Sequence, residues 1–408
     1  MQHQKYNLFV INFLFLIFLT LSYSFWIWES GLFLLLVKVA KFTIALLLTF
    51  LCRHEIARLK ILPWIFLSLI LYACIGNIGK AFNYELGVAV RYFPSFITYL
   101  FIVLSLASLN FDRTRSICEN SIKIFSIFNL PSLVIWILVF IGIDLPYETK
   151  EFIAEGYASR IYYGVAVMPA WFNIEVAGFV GIRNGGMFKE PGFLGTFCAI
   201  NLFISYLLGL NSRYNFILIA LGITTFSMAF YIVLILFYIG LIFIKFNKKM
   251  IAPIISFSIL VYFVIVYFFD ILYTMILYRF GRSGKLFGVS RSSDYEQLVD
   301  FFTYASSVEK FFGLGFYGSI SNYSMASVYE EIINVGIIGF GALLFVAFYL
   351  FIYKLGHLYR LTGMLVGCLV LLLNWQRPDF TSVPMMLFAA FILSYANSRV
   401  GVILAKEG

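Results

Sequence analysis

The stretch "TTFSMA", Thr224–Ala229, decides how this chain folds, because it interrupts an apolar run reaching from about residue 214 to 247. Read as one tilted helix, the run leaves an odd number of membrane crossings. Read as a small, polar turn between two helices, it makes the number even. It then puts Lys245, Lys248 and Lys249 on the same side as the N-terminus. The charges of the whole chain favour the turn, as the following count shows.

Outward from that turn the sequence is mostly Phe, Leu and Ile. Of 408 residues, 62% are hydrophobic and only 12% charged, and the mean hydropathy is +0.94. A soluble domain of that composition would have a largely apolar surface, so lipid is the solvent for most of the chain. A spanning helix takes roughly 20 apolar residues. Twelve runs qualify, roughly at 7–28, 32–51, 61–79, 94–110, 124–143, 190–210, 214–228, 229–247, 250–270, 331–353, 361–376 and 382–398. The expected fold is therefore an all-α polytopic membrane protein, one integral membrane domain over residues 1–408. The first run has the length of a span and no small-residue cleavage site, so it reads as an anchor.

With the N-terminus in the cytoplasm, the inner segments hold Lys5, Arg53, Arg58, Lys60, Arg113, Arg115, Lys123, Arg213, Lys245, Lys248, Lys249, Lys354, Arg360, Arg399 and Lys406. The short outer loops hold only Lys80, Arg91 and Arg377. That imbalance follows the positive-inside rule and places both termini in the cytoplasm. It also accounts for the net charge of +9 without nucleic acid as a partner. The five cysteines (Cys52, Cys74, Cys118, Cys198, Cys368) show neither metal-ligand spacing nor a disulfide framework.

Two outer segments are long, about 144–189 and 271–330. Loops beyond ~12–15 residues usually carry function or are disordered. The aromatics, glycines and mixed charges of these two argue against disordered linkers. The second contains "YRFGRSGKLFGVSRSSDYEQ", in which Arg279, Arg282, Lys285 and Arg291 run against the topological charge bias. Guanidinium groups in such number suit a phosphate or diphosphate, through planar bidentate contacts. A solvated loop pairing with Asp294, Glu296 and Asp300 would have the same composition.

The first long segment ends in "RNGGMFKEPGFLG", Arg183–Gly195. Glu190 and Pro191 are helix-start residues, and a carboxylate there meets the positive end of the helix dipole. A helix start at the water interface explains them. Arg183 and Lys189 lie beyond that explanation, as does "NGG" at Asn184–Gly186, whose backbone freedom would allow close approach to a ligand. Glu330 and Glu331 open a later helix in the same manner, one as a helix-start carboxylate and the other free to face a cavity. Within the second span, Lys38 and Lys41 share a helix face, to line a cavity, grip a lipid diphosphate or snorkel toward the cytoplasm.

Absences narrow the chemistry. His3, His54 and His357 all fall on the cytoplasmic side, and no Asp-x-Asp pair occurs for a metal–nucleotide-sugar. The first outer loop, about Glu29–Gly31, is too short for an acidic pair, and no Gly-rich loop ending in Lys-Ser/Thr is present. No metal and no cofactor is expected.

In their order along the chain, "RNGGMFKEPGFLG", "TTFSMAFYIVLIL", the arginine-rich outer segment, "GLGFYG" and "VYEEIINVGIIGFGALL" resemble the O-antigen polymerase (Wzy-type) family, over about residues 180–345. Related O-antigen ligases share the architecture. The resemblance implies a C-type membrane glycosyltransferase in the bacterial inner membrane with a periplasmic active site. It would move a growing glycan en bloc from undecaprenyl diphosphate to a lipid-linked repeat unit, metal-independent and inverting. A polysaccharide chain-length regulator is a possible partner. Related ligases often carry a His before the helix that "EEIINVGIIG" matches; this chain has Met325 near that place. The implied catalytic residues are Glu190 as first candidate base, Glu330 as second, and Arg282. Arg183, Lys189, Arg279, Lys285, Arg291 and Tyr329 would bind substrate. A ligase acting on lipid A core and a lipid-linked oligosaccharide flippase are the alternatives.

Overall fold

The computed structural model describes residues 2–23, 31–56, 86–152, 157–163, 166–169, 174–176, 179–181, 183–188, 191–210, 212–244, 289–315, 328–376, 384–385 and 387–394. The expected spans 61–79 and 250–270 lie outside the described residues. The chain divides into two compact units, one of residues 1–124, 204–210 and 293–408, the other of residues 125–203 and 211–292.

The first unit opens with α1 (Gln2–Tyr23), α2 (Gly31–Leu51), the single turn α3 (Arg53–Ile56) and α4 (Leu86–Ser108). The core between α1, α2 and α4 buries Phe15, Phe18, Leu48 and Leu106 almost completely. Lipid tails are as apolar as Leu, so helices in a bilayer need packing and polar ties to recognise one another. Two such ties join α2 to α4: Thr49 Oγ1 and Ser105 Oγ lie 3.2 Å apart, and Lys41 Nζ donates to Tyr99 Oη at 3.2 Å. Asn110 caps the next helix, its Oδ1 accepting from the Arg113 amide at 3.1 Å.

That helix, α5 (Phe111–Phe140), begins well before the expected span at 124–143. Its charged first half continues the helix, helped by a Glu119–Lys123 ion pair at 2.9 Å and i,i+4 spacing. The second unit follows from Phe125. The described residues of the first outer segment form strands: β1 (Glu148–Phe152), β2 (Tyr157–Tyr163) and β3 (Ala166–Pro169) make an antiparallel sheet in that order, and β4 (Ile174–Val176) pairs with β5 (Phe179–Gly181). The expectation of an all-helical membrane chain thus holds for the described apolar runs, and this segment adds short strands to it. Then come α6 (Pro191–Leu208), α7 (Ser212–Thr224) and α8 (Met228–Ile244). The break between α7 and α8 falls within "TTFSMA", where Phe226 takes φ 45°.

The second outer segment contributes α9 (Val289–Tyr304) and α10 (Ser307–Phe312) to the described structure. After it, α11 (Val328–Ala347), a π-helical stretch Phe348–Lys354 and α12 (Leu355–Gln376) form one helical path. Its apolar part, Tyr329–Asn374, has 46 residues. A straight rod of that length would measure roughly 70 Å, more than twice a bilayer's hydrocarbon core. The path instead reverses at Arg360, whose φ is 53°. Gly363 and Gly367 form a small-xxx-small pair there, and a Cβ on either would collide with the Leu355 and Phe351 carbonyls of the opposing arm. The reversal yields two arms, in keeping with the expected spans 331–353 and 361–376.

Among the described residues three helical segments are long and apolar enough to cross a membrane: Phe111–Phe140, Pro191–Leu208 and Tyr329–Asn374. The protein is a helical membrane protein.

Candidate functional site

Residues 183–188 and 191–195 of the stretch "RNGGMFKEPGFLG" belong to the second unit and lie against the α7–α8 break. The break exposes carbonyls that a continuous helix would use itself. Arg183 takes one of them: its Nε donates to the Thr225 carbonyl at 2.8 Å, with the side chain 8% exposed. Asn184, fully buried, takes two more groups. Its amide donates to the Thr224 carbonyl at 2.9 Å, and its Nδ2 to Thr224 Oγ1 at 3.1 Å.

Asn184 also turns the chain. Its Oδ1 accepts from the Gly186 amide at 2.8 Å, and Gly186 adopts φ +58°. From α5, Asn129 Oδ1 accepts from the Met187 amide at 3.2 Å. A Cβ on Gly186 would stand 2.6 Å from that same oxygen, so only glycine fits. The Phe188 amide closes the turn on the Gly185 carbonyl at 2.9 Å. Phe188 then packs edge-on against Phe197 of α6, ring centroids 4.7 Å apart, with Phe125 beside both.

The start of α6 lies against the same break. Gly195 approaches Ser227 and Thr225 so closely that a Cβ would meet the Ser227 Cβ at 2.9 Å. Thr225 Oγ1 accepts from the Ser227 amide at 3.2 Å and donates to the Gly222 carbonyl at 2.6 Å. On α8, Tyr231 donates its hydroxyl to the Ile223 carbonyl at 2.6 Å and lies within the electrostatic reach of Arg183. The result is a buried guanidinium oriented by a carbonyl, with the Tyr231 phenol within its electrostatic reach. A planar cation so fixed matches phosphate or sugar oxygens without reorganising.

The "NGG" step does not serve as an open cradle. Asn184 to Gly186 are buried, and the hydrogen-bonding groups of Asn184 and Gly186 are engaged within the fold. A glycine at positive φ is required for the turn itself.

Of the other expected site residues, Lys189, Glu190, Arg279, Arg282 and Lys285 lie outside the described residues. Arg291 falls in α9, and Tyr329 and Glu330, both half-buried, in the first turn of α11. Tyr329 and Glu330 belong to the first unit and Arg183 to the second. Outside the spans, the rings of Tyr147 and Tyr163 meet tilted at 55°, centroids 5.7 Å apart, and burial pushes the Tyr163 phenol up, reinforced by Tyr147 and Asp144. Among the described residues no group of three His, Cys, Asp or Glu side chains is placed to hold a metal ion.

Sequence reasoning overlooked Asn129, Thr224, Thr225 and Tyr231. The available signal was a polar residue inside an apolar run: Asn129 beside Pro131, and the hydroxyls of "TTFS". Comparison of the chain with family models, with curated proteins and with solved structures finds no match.

Proposed function

We propose that this protein is an O-antigen polymerase, a glycosyltransferase that joins undecaprenyl-diphosphate-linked repeat units at the periplasmic face of the inner membrane. The observation that carries the reading is Arg183, a buried guanidinium fixed on the Thr225 carbonyl. It stands just ahead of the Glu190–Pro191 helix start, on the side that the loop charges assign to the periplasm. The order of motifs along the chain supplies the rest.

In this reading the acceptor hydroxyl oxygen bonds to the anomeric carbon of the donor as the bond from that carbon to the diphosphate oxygen breaks. The hydroxyl proton passes to Glu190, a general base being worth about 10²–10⁴ in rate. The diphosphate leaves with the bonding pair, its charge met by Arg282 with Arg279, Lys285 and Arg291. Arg183 and Lys189 hold the glycan or diphosphate. Glu190→Gln and Arg282→Ala in the native host test this through the lipopolysaccharide ladder. The expected result is a core bearing a single repeat unit. A full-length ladder at normal protein levels overturns the assignment, and loss of all surface glycan would favour a ligase instead.

A second reading, a flippase for lipid-linked oligosaccharides, draws on Lys41. This residue sits midway along α2, half-buried against Tyr99 and Phe18, and intramembrane cations are frequent on substrate pathways. Movement of lipid-linked glycan across liposomes without polymer formation would favour it.

A further inference from the structure

The helices of the second outer segment carry apolar side chains that nothing in their own fold covers. In α10, Val308, Phe311 and Phe312 are 60%, 51% and 41% exposed, and Tyr304 at the end of α9 is 81% exposed. Tyr295 and Val299 of α9 are exposed as well. Residues 308, 311 and 312 are spaced to share one helix face. For a helix in water such a face is a liability.

The backbone ties this face to α11. α11 is broken at Gly336, φ 63° and ψ −175°, a conformation open essentially to glycine alone. The break frees the Ile333 and Asn334 carbonyls, and the chain leaving α10 takes them: the Leu314 amide donates to Ile333 and the Gly315 amide to Asn334, both at 2.8 Å. Gly313 and Gly336 let the two backbones touch, since a Cβ on Gly336 would strike the Phe311 carbonyl. Irregular backbone at such a place is tolerated where protein meets the freed groups, as it does at the Ile333 and Asn334 carbonyls.

Ile333 lies five residues into α11, roughly 8 Å along its axis. That is about the thickness of the headgroup layer on one side of a bilayer. α10 is therefore pinned to the first turns of a helix apolar enough to span a membrane, and Ile337 and Ile338 of that helix are exposed as well. Its capping box, Ser306 with Glu309 at 2.8 Å and 3.3 Å, puts a carboxylate at the opposite, polar end. Exposed tyrosine and phenylalanine beside a span are the composition of the aromatic belt.

We infer that α10 and the end of α9 form an interfacial platform whose occupant is the phospholipid surface, with Val308, Phe311, Phe312 and Tyr304 seated in the headgroup layer beside α11. Interfacial helices bury their apolar face about 5–10 Å into that boundary. The inference is independent of what reaction the protein performs.

The full chain, reconstituted in phospholipid nanodiscs, tests it by fluorine NMR. A trifluoromethyl-phenylalanine replaces Phe311 in one sample and Glu296, an exposed position of α9, in another. The expected result is several-fold stronger broadening of the Phe311 signal by a lipid carrying a nitroxide near its carbonyl than by a water-soluble gadolinium chelate, with the reverse at Glu296. Broadening of the Phe311 signal by the chelate alone overturns the inference in favour of a solvated face. Protection from both agents overturns it in favour of a protein occupant, such as a second copy.

Discussion

Arg183 Nε donates to the carbonyl of Thr225 at 2.8 Å, so a cation from the end of the first outer segment occupies a helix break 42 residues further on. The two groups stabilise each other: the carbonyl has lost its helical partner, and the guanidinium needs an acceptor out of water. A hydrogen bond to a charged group is worth about 1.5–3 kcal/mol. Arg183→Ala should lower stability by about that amount, through the orphaned Thr225 carbonyl. Melting in detergent measures it; an unchanged melting temperature would show that water replaces the guanidinium.

Asn184 supports two segments at once, donating to Thr224 and accepting from Gly186. Asn184→Ala should cost about 1–3 kcal/mol, since it strands buried partners on both sides. Gly186→Ala should be worse than its small size suggests, because φ +58° and the Asn129 oxygen both oppose a Cβ. Strain of that kind costs about 1–3 kcal/mol before the steric clash is added. Comparing melting temperatures of Gly186→Ala and Gly185→Ala separates the conformational demand from general crowding.

Gly367→Leu should prevent the hairpin about Arg360 from closing, because the Phe351 backbone occupies the space of any side chain. The Phe348–Lys354 stretch would separate from α12, and the protein should be recovered at greatly reduced yield. Gly341, around which there is open space, is the control: Gly341→Ala should leave the yield unchanged. Fluorescence-detected size-exclusion chromatography reports both.

Lys41 is held by the Tyr99 hydroxyl and by the faces of Tyr99 and Phe18 at 5.0 and 5.4 Å. Two such cation–π contacts contribute about 0.5–2 kcal/mol each, against an insertion cost of about 2.5–3.5 kcal/mol for a central cation. The terms nearly cancel. Lys41→Met should therefore melt no lower than the parent, while Lys41→Glu should melt far lower. A marked drop for Lys41→Met would show that the cage contributes more than these contacts account for.

Much of the architecture was legible in the sequence because a bilayer imposes simple rules. The apolar run from 190 and the Pro191 start predict α6, which begins at Pro191. "TTFSMA" was read as a break on polarity and parity, and the helix does end at Thr224 and resume at Met228. The strands at 148–181 were not legible: they are short, and their pairing is decided by cross-strand registry rather than by a periodic run.

For the candidate site, the sequence alone determined what was out of place in an apolar chain: Arg183 with its "NGG", the polar turn "TTFSMA", and Lys41. Tertiary structure alone decided what each does. Arg183 could have faced water, yet it is buried on Thr225; "NGG" could have been a loose ligand loop, yet Asn184 bonds to Thr224 and to the Gly186 amide. Gly336 could have been a packing glycine, yet it breaks α11 so that the strand leaving α10 can complete its hydrogen bonds. The physical reason is common to all three. A composition tells which groups must find partners away from water, but partners 19 to 42 residues apart are chosen by the packing of helices, which local sequence does not encode.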